Sequence, residues 1–392
     1  MHSLSTQVND PVGRSSALDW AAVCASLPDL EPALQTMAGA MDRKRSDGMP
    51  ADVAIAALRQ SGALEAIVDE RRGGAGLECR VANEILARLA EGDASLAILL
   101  YIHYGVVMRI VDWGTDSLHA DYLRNAVNEK HIMAAAWSEP GAGAGKAGIA
   151  TEAVLSSDGA WILNGHKTWT TGSGLADLYL VLANVRRETL SERVDGEGAA
   201  PAQGLFLVES TGDGVRSHGP HDLAGMRTSA TGSVSFENCI LPAEALLAAP
   251  ELTAQIMRHP QQRGLTLGAV CVGIADRAVQ MARRHMESRR TYERDVDRER
   301  LFRMTGRVEA IRALVSSVAD AEDRSGELSL IAKVVGSEGA EAVCRDAQRI
   351  VGTDSLMATH PLSAMQQDAR AVGHMGPPND VCRDLVTRPW FA

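Results

Sequence analysis

Apolar residues recur every three or four positions from about Ala17 to Met133, lose that spacing at about Ala134, and regain it after Pro242. This double change of period constrains the fold more than any other feature, because a stretch patterned for helix does not settle as a strand. In the first part the spacing predicts helices over Asp19–Met41, Ala51–Ser61, Arg80–Leu89, Ser95–Val111 and Ser117–Val127, interrupted by the glycine cluster Arg72-Gly73-Gly74-Ala75-Gly76-Leu77. In the middle, Ala153–Leu155, Ala160–Leu163, Leu178–Ala183, Gly204–Val208 and Gly232–Phe236 read as strands between Gly, Asp and Ser turns, with the polar stretch Glu188–Gln203 as an exposed loop. The last part predicts three long helices, Gly264–Arg290, Arg298–Asp323 and Leu328–Val351, each able to span one side of a bundle. The expected organisation is a helical domain over 1–133, a β domain over 134–245 and a helical bundle over 246–392. The sequence has no internal repeat, and no glycine fingerprint joins a strand to a helix as a Rossmann unit requires.

Hydrophobic residues make up 45% of the 392, enough for a substantial core, and low aromatic content (4%) beside abundant alanine favours closely packed helices. The formal charge of −11 argues against a nucleic-acid partner. Six scattered cysteines, with no Cys-x-x-Cys pair and no histidine cluster at metal-ligand spacing, read as the reduced thiols of a cytoplasmic protein without a metal. The first residues lack a cationic region followed by an apolar core, so no signal peptide is expected. The apolar stretches read as shorter than the roughly 18 residues of a spanning helix, so no membrane segment is expected either.

Several motifs follow one another in order: Trp137-Ser138-Glu139-Pro140-Gly141-Ala142-Gly143, Leu163-Asn164-Gly165-His166-Lys167-Thr168-Trp169-Thr170-Thr171, and Leu223-Ala224-Gly225-Met226-Arg227. Phe236-Glu237-Asn238 before Leu241-Pro242, Arg289-x-x-Tyr292 and Gln367-Asp368-Ala369-Arg370 complete the series. Together they resemble the acyl-CoA dehydrogenases over nearly the whole chain. The resemblance implies an N-terminal helical domain, a central β barrel-like domain and a C-terminal four-helix bundle, assembled as a homotetramer. It also implies FAD between the β domain and the bundle, partly shared with a neighbouring subunit.

On that resemblance Trp137, Ser138, Gly143, Trp169, Thr170, Thr171, Arg289, Tyr292, Arg349 and Gly352 are the cofactor-binding candidates. Glycines at 141 and 143 let backbone N–H groups approach a ligand, although a plain turn needs them as well. Trp169 is a flat donor suited to pack on an isoalloxazine or into a core, and Thr171 could bond the flavin edge. Ser138 matches a family threonine, whereas the family's following Ser-Asp is Ala144-Gly145 here; the neighbouring Lys146 reads as a phosphate contact or a solvated lysine. Arg289 and Tyr292 project from one helix face, where the family meets an adjoining subunit's cofactor and where an unrelated helix would be solvated.

The chain departs from the family at the base. Relatives remove the substrate's α-proton with a carboxylate, most often in a Glu-Gly-Thr after the Asp-Ala-Arg segment. That stretch is Met375-Gly376-Pro377-Pro378-Asn379 here, so Gly376 stands in the glutamate's place. The alternative Glu-Arg location aligns with Arg263, or with Gln262 after a one-residue gap, and neither is a base at neutral pH. His374 and Asp380 flank the vacated position as substitute bases, or serve respectively as a surface histidine and an acidic residue in the first turn of the last helix. The resulting expectation is an FAD-dependent oxidoreductase of an acyl thioester, on CoA or an acyl carrier protein, with an atypical or absent base and a flavoprotein or O₂ as electron acceptor. A flavin monooxygenase, a redox-neutral FAD-containing lyase such as an acyl-CoA desulfinase, and a non-catalytic subunit are the other readings.

Overall fold

The computed structural model describes residues 18–41, 47–142, 148–187, 202–321 and 325–391. Residues 188–201 of the expected loop Glu188–Gln203, and Gly143, Ala144, Gly145 and Lys146, lie outside them, while Gln203 at the end of that loop already belongs to a strand.

The first helical part opens with α1 (Trp20–Ser26) and α2 (Leu30–Met41). The single helix expected over Asp19–Met41 is divided in two, and Pro28, which cannot donate to a helical ladder, lies at the break. Next come α3 (Asp52–Gln60), α4 (Cys79–Gly92) and α5 (Ala94–Trp113), followed by α6 (Asp116–Leu118), a π turn (His119–Leu123) and α7 (Arg124–Asn128). Contrary to the sequence expectation, α5 is long and apolar enough to cross a membrane, with 20 residues and a mean hydropathy of 1.8. Its apolar residues are instead buried on nearly all sides, between the other helices and the sheet, as in a core helix.

The central part is a curled seven-stranded sheet of β1 (Met133–Ala136), β2 (Glu152–Leu155), β3 (Trp161–Thr170), β4 (Leu178–Arg187), β5 (Gln203–Glu209), β6 (Val215–Pro220) and β7 (Gly232–Leu241). β4 is its spine: β1 and β2 pair in parallel with successive stretches of one edge, and β5 pairs antiparallel with the other. From β2 the order continues through β3 and β7 to β6. Both faces of β4 are buried, Leu178, Leu180 and Leu182 in a core shared with α5, and Tyr179, Val181 and Ala183 within the sheet's own core. A strand covered on both sides reads as a continuous apolar run, which is how Leu178–Ala183 stands out in the sequence.

After β7 the chain forms α8 (Thr253–Gln262), α9 (Gly268–Arg289), α10 (Asp295–Asp320), α11 (Glu327–Val351), α12 (Pro361–His374) and α13 (Asn379–Thr387). The helices on either side of the sheet share one core, centred on α9 between α4 and α11. Gly273 permits the α4–α9 crossing, since a Cβ there would lie 2.0 Å from the Ala87 carbonyl oxygen.

Candidate functional site

Two of the motif segments are joined by a buried ion pair. Lys167, fully buried on β3, donates to Glu139 Oε1 at 2.6 Å, and the same carboxylate accepts the backbone N–H groups of Ala150 (2.5 Å) and Thr151 (3.1 Å). Lys167 also donates to the Trp137 carbonyl at 3.4 Å, and Thr168 N–H bonds the Ser138 carbonyl at 2.8 Å, so residues 137–139 are stitched along β3. Burial works against the Glu139 charge, but hydrogen bonds from Lys167, Thr151 and Ala150 outweigh it and hold the carboxyl below its usual range. Trp137 itself packs under the buried Arg109 guanidinium, 4.7 Å from the ring centroid. Arg109 is tied in turn to the carbonyls of Gly105, Ile256 and Met257. Sequence reasoning quoted Glu139 and Lys167 as motif members without a role; the signal was Lys167's inward place in the alternation of β3, between outward His166 and Thr168.

At the end of β3 the pairing with β7 slips between Lys167 and Thr170, and Trp169 takes a left-handed backbone conformation with φ +56°. That conformation is uncommon for a bulky residue, and it turns the indole outward: Trp169 is 61% exposed, with its ring 5.0 Å from that of His221. Beside it the Thr171 hydroxyl bonds Thr231 at 3.1 Å, and Thr231 bonds Ser229 at 2.7 Å. Thr170 points inward, its buried hydroxyl without a hydrogen-bond partner in the structure.

The second focus is a small cleft of about 10 Å³, room for one water, where α5, α8, α11 and the α12–α13 loop meet, lined by Tyr101, Gln261, Lys333, Gly376 and Pro377 among others. Gly376 faces free space, for a Cβ on it would meet nothing within 4 Å. Lys333, buried on α11, donates to the carbonyls of Gly373 (3.2 Å) and Pro377 (2.8 Å) and to Asn379 Oδ1 (2.8 Å), and so clamps the loop that carries Gly376. Burial pushes its ammonium below the usual range. Tyr101 is 8% exposed, and burial raises its phenol to about 12, leaving a neutral hydroxyl. Lys333 was not found from the sequence, although a lone lysine in the small-residue stripe Ser329, Ala332, Gly336, Ala340 was the available signal.

The remaining predicted residues separate. Gln261, not Gln262, lines the cleft, and its buried Oε1 has no hydrogen-bond partner in the structure. Arg263 points away to Asp112 (2.8 Å) on the surface. His374 ends α12 exposed, while Asp380 sits in the first turn of α13, exposed and paired with Arg383 at 2.7 Å; neither lines the cleft. Arg289 lies 3.9 Å from Asp354, just beyond Gly352, which caps α11 with φ +78°. Tyr292 is 41% exposed, and Arg349 pairs with Asp346 at 2.9 Å. These four lie at or just beyond the C-terminal ends of α9 and α11.

Comparison with known proteins gives the same architecture. Three family models match in order: acyl-CoA dehydrogenase N-terminal domain over residues 31–130, middle domain over 134–239 and C-terminal domain over 254–390. The short-chain specific acyl-CoA dehydrogenase of Rattus norvegicus mitochondria is 26% identical over 323 residues, covering 80% of this chain and 76% of that protein. The butyryl-CoA dehydrogenase structure from Megasphaera elsdenii superposes with a TM-score of 0.86 at 23% identity, covering 97% and 100% of the two chains. A prolyl acyl carrier protein oxidase superposes with a TM-score of 0.81 at 21% identity, covering 94% and 99%. Helical domain, curled sheet and helical bundle in this order define a class of flavoprotein oxidoreductases acting on CH–CH donors. The chain belongs to the acyl-CoA dehydrogenase family.

Proposed function

We propose that the chain is an FAD-dependent oxidoreductase of an acyl thioester that works without a carboxylate at the family's base position. The observation that carries this reading is the cleft at Gly376, where Tyr101, Gln261 and Lys333 supply polar groups and no acidic side chain takes part. The surface at the end of β3 suits a flavin: an outward indole in a left-handed bulge offers a flat face, with the Thr171–Thr231 hydroxyls beside it. Trp169, Thr171 and Ser138 would hold the flavin, and Glu139 and Lys167 would keep the Trp137–Ser138 segment in register. FAD, when bound, supplies the acceptor for the hydride equivalent leaving the acyl chain. Lys333 fixes the Gly373–Asn379 loop, and Gln261 and the neutral Tyr101 hydroxyl offer hydrogen bonds. None of these groups is a strong base at neutral pH, so oxidation of an unactivated acyl chain is slow. Arg289, Tyr292, Arg349 and Gly352 would serve a neighbour's cofactor in a homotetramer.

The absent carboxylate equally suits a monooxygenase, in which no α-proton is taken. Anaerobic mixing of the FAD-loaded protein with acyl thioesters, carried on CoA or on pantetheine, separates the two. Bleaching by a thioester is the outcome expected here. Bleaching by an external reductant alone, followed by O₂ consumption, would contradict it.

A further inference from the structure

We propose that the hydroxyls of Thr171, Thr231 and Ser229 form a reversible hydrogen-bond chain that suits both redox states of the flavin edge, with Thr231 and Ser229 as positioning residues; this rests on the FAD reading above. Thr171 Oγ1 lies 3.1 Å from Thr231 Oγ1, which lies 2.7 Å from Ser229 Oγ, and in both contacts either oxygen can donate. Ser229 is fully buried and Thr231 nearly so, whereas Thr171 is partly exposed beside the outward indole of Trp169. The chain therefore runs from the interior to the surface assigned to the flavin. The loop that carries its two inner hydroxyls is strained: Met226 and Ala230, on either side of Ser229, have left-handed φ values of +54° and +50°. Among the described residues, three of the six non-glycine positions with positive φ lie around this chain, Trp169 being the third. Such outliers persist where the surroundings over-determine them, and they gather at ligand sites.

Backbone bonds already hold the loop. Met226 N–H donates to Asp368, Ser229 N–H to the Met226 carbonyl (3.1 Å) and Ala230 N–H to the Gly48 carbonyl (3.1 Å), while the Ser229 and Thr231 carbonyls accept from Gly172 N–H (3.1 Å) and His221 N–H (2.8 Å). The two hydroxyls are not needed to close it, and their alignment with Thr171 calls for another reason. The nitrogen at the edge of an oxidised flavin accepts a hydrogen bond, and in the reduced flavin the same nitrogen donates one. A hydroxyl facing it must donate in the first state and accept in the second. In the second state a lone Thr171 would keep its own hydrogen unpaired. Thr231 Oγ1 takes that hydrogen, and Ser229 Oγ takes the hydrogen of Thr231; in the first state both bonds run the other way. The hydrogens only swing about their C–O bonds, and no proton changes oxygen. A buried donor without a partner is less tolerated than an underused acceptor, so losing the chain penalises the reduced state.

The test is the reduction potential of FAD bound to the protein, read by spectroelectrochemistry at one pH, beside the affinity for oxidised FAD. Thr231→Val keeps the side chain's shape and removes its hydroxyl. The expected result is about tenfold weaker hold on the reduced relative to the oxidised cofactor, a potential lower by about 30 mV for a two-electron couple, with affinity for oxidised FAD changed less than about threefold. Thr231→Ser should restore the potential. Ser229→Ala should lower it in the same sense by a smaller amount, and it decides the matter if Thr231→Val does not fold. A merely structural role would lower the melting temperature and leave the potential where it was. An unchanged potential in Thr231→Val, or in Ser229→Ala where only that variant folds, would overturn the proposal and leave the FAD reading standing. Failure of the unmodified protein to take up FAD would remove that reading and the proposal with it.

Discussion

Asp368, in the Gln-Asp-Ala-Arg motif of α12, is buried and accepts the Met226 N–H at 2.5 Å. Burial raises its carboxyl to about 7, and the nearby Asp93, raised to about 6 by its own burial, adds to the effect. Unfolded, such a carboxyl titrates near 4, so between about pH 4 and 7 the folded state binds the extra proton and stability falls as pH rises. Asp368→Asn fixes the neutral form. Urea unfolding at pH 5 and pH 8 should show the variant gaining about 1–4 kcal/mol relative to the unmodified protein across that interval; parallel behaviour at the two pH values would contradict the assignment. The Glu139–Lys167 pair is the opposite case, two charges buried together. Lys167→Met strands the carboxylate and should cost about 3–5 kcal/mol, whereas the double change Glu139→Gln, Lys167→Met should recover most of the loss. Thermal unfolding of the two variants beside the unmodified protein, together with their FAD content, measures it. A mild single variant would show that solvent reaches the pair.

Where elements cross, small residues set the distance. Gly273→Ala puts a methyl 2.0 Å from the Ala87 carbonyl oxygen and 2.8 Å from Ala90 Cβ, so α9 and α4 must part. The expected cost is about 1–3 kcal/mol or more, read from urea midpoints; an unchanged midpoint would mean the crossing is looser than described. The same elements show what sequence can carry. α5, α9 and α11 are long and patterned, and the period predicts each within a few residues of its bounds. β1 and β6 escape it: Met-Ala-Ala-Ala is too short to alternate, and Val-Arg-Ser-His-Gly-Pro is a polar strand recruited by pairing with β7. Trp169 is legible as a motif member, but its outward turn depends on a slip in the β3–β7 register that no local pattern encodes. At the cleft the sequence points to Gln262 or Arg263 and the helix presents Gln261, because one residue along a helix turns a side chain by about 100°.

On the scale of the whole molecule, large apolar side chains remain uncovered on the bundle, among them Phe302 (79% exposed), Leu356 (77%) and Met357 (61%). Leu356 and Met357 follow Asp354, which approaches Arg289, so apolar surface lies near the residues assigned to a neighbour's cofactor. Light scattering of the FAD-loaded protein should return a tetramer, and a stable FAD-bound monomer would contradict the assignment of Arg289 and Tyr292. The central claim, that no carboxylate serves as base, is tested most directly by the anaerobic rate of flavin reduction by butyryl-CoA in the unmodified protein and in Gly376→Glu. A positioned general base contributes about 10²–10⁴-fold, but the Pro377-Pro378 loop and the lysine-lined cleft are not built around a glutamate. The account therefore predicts slow reduction of the unmodified protein and a gain below about 10²-fold in the variant. Rapid, complete reduction of the unmodified protein by butyryl-CoA would contradict it.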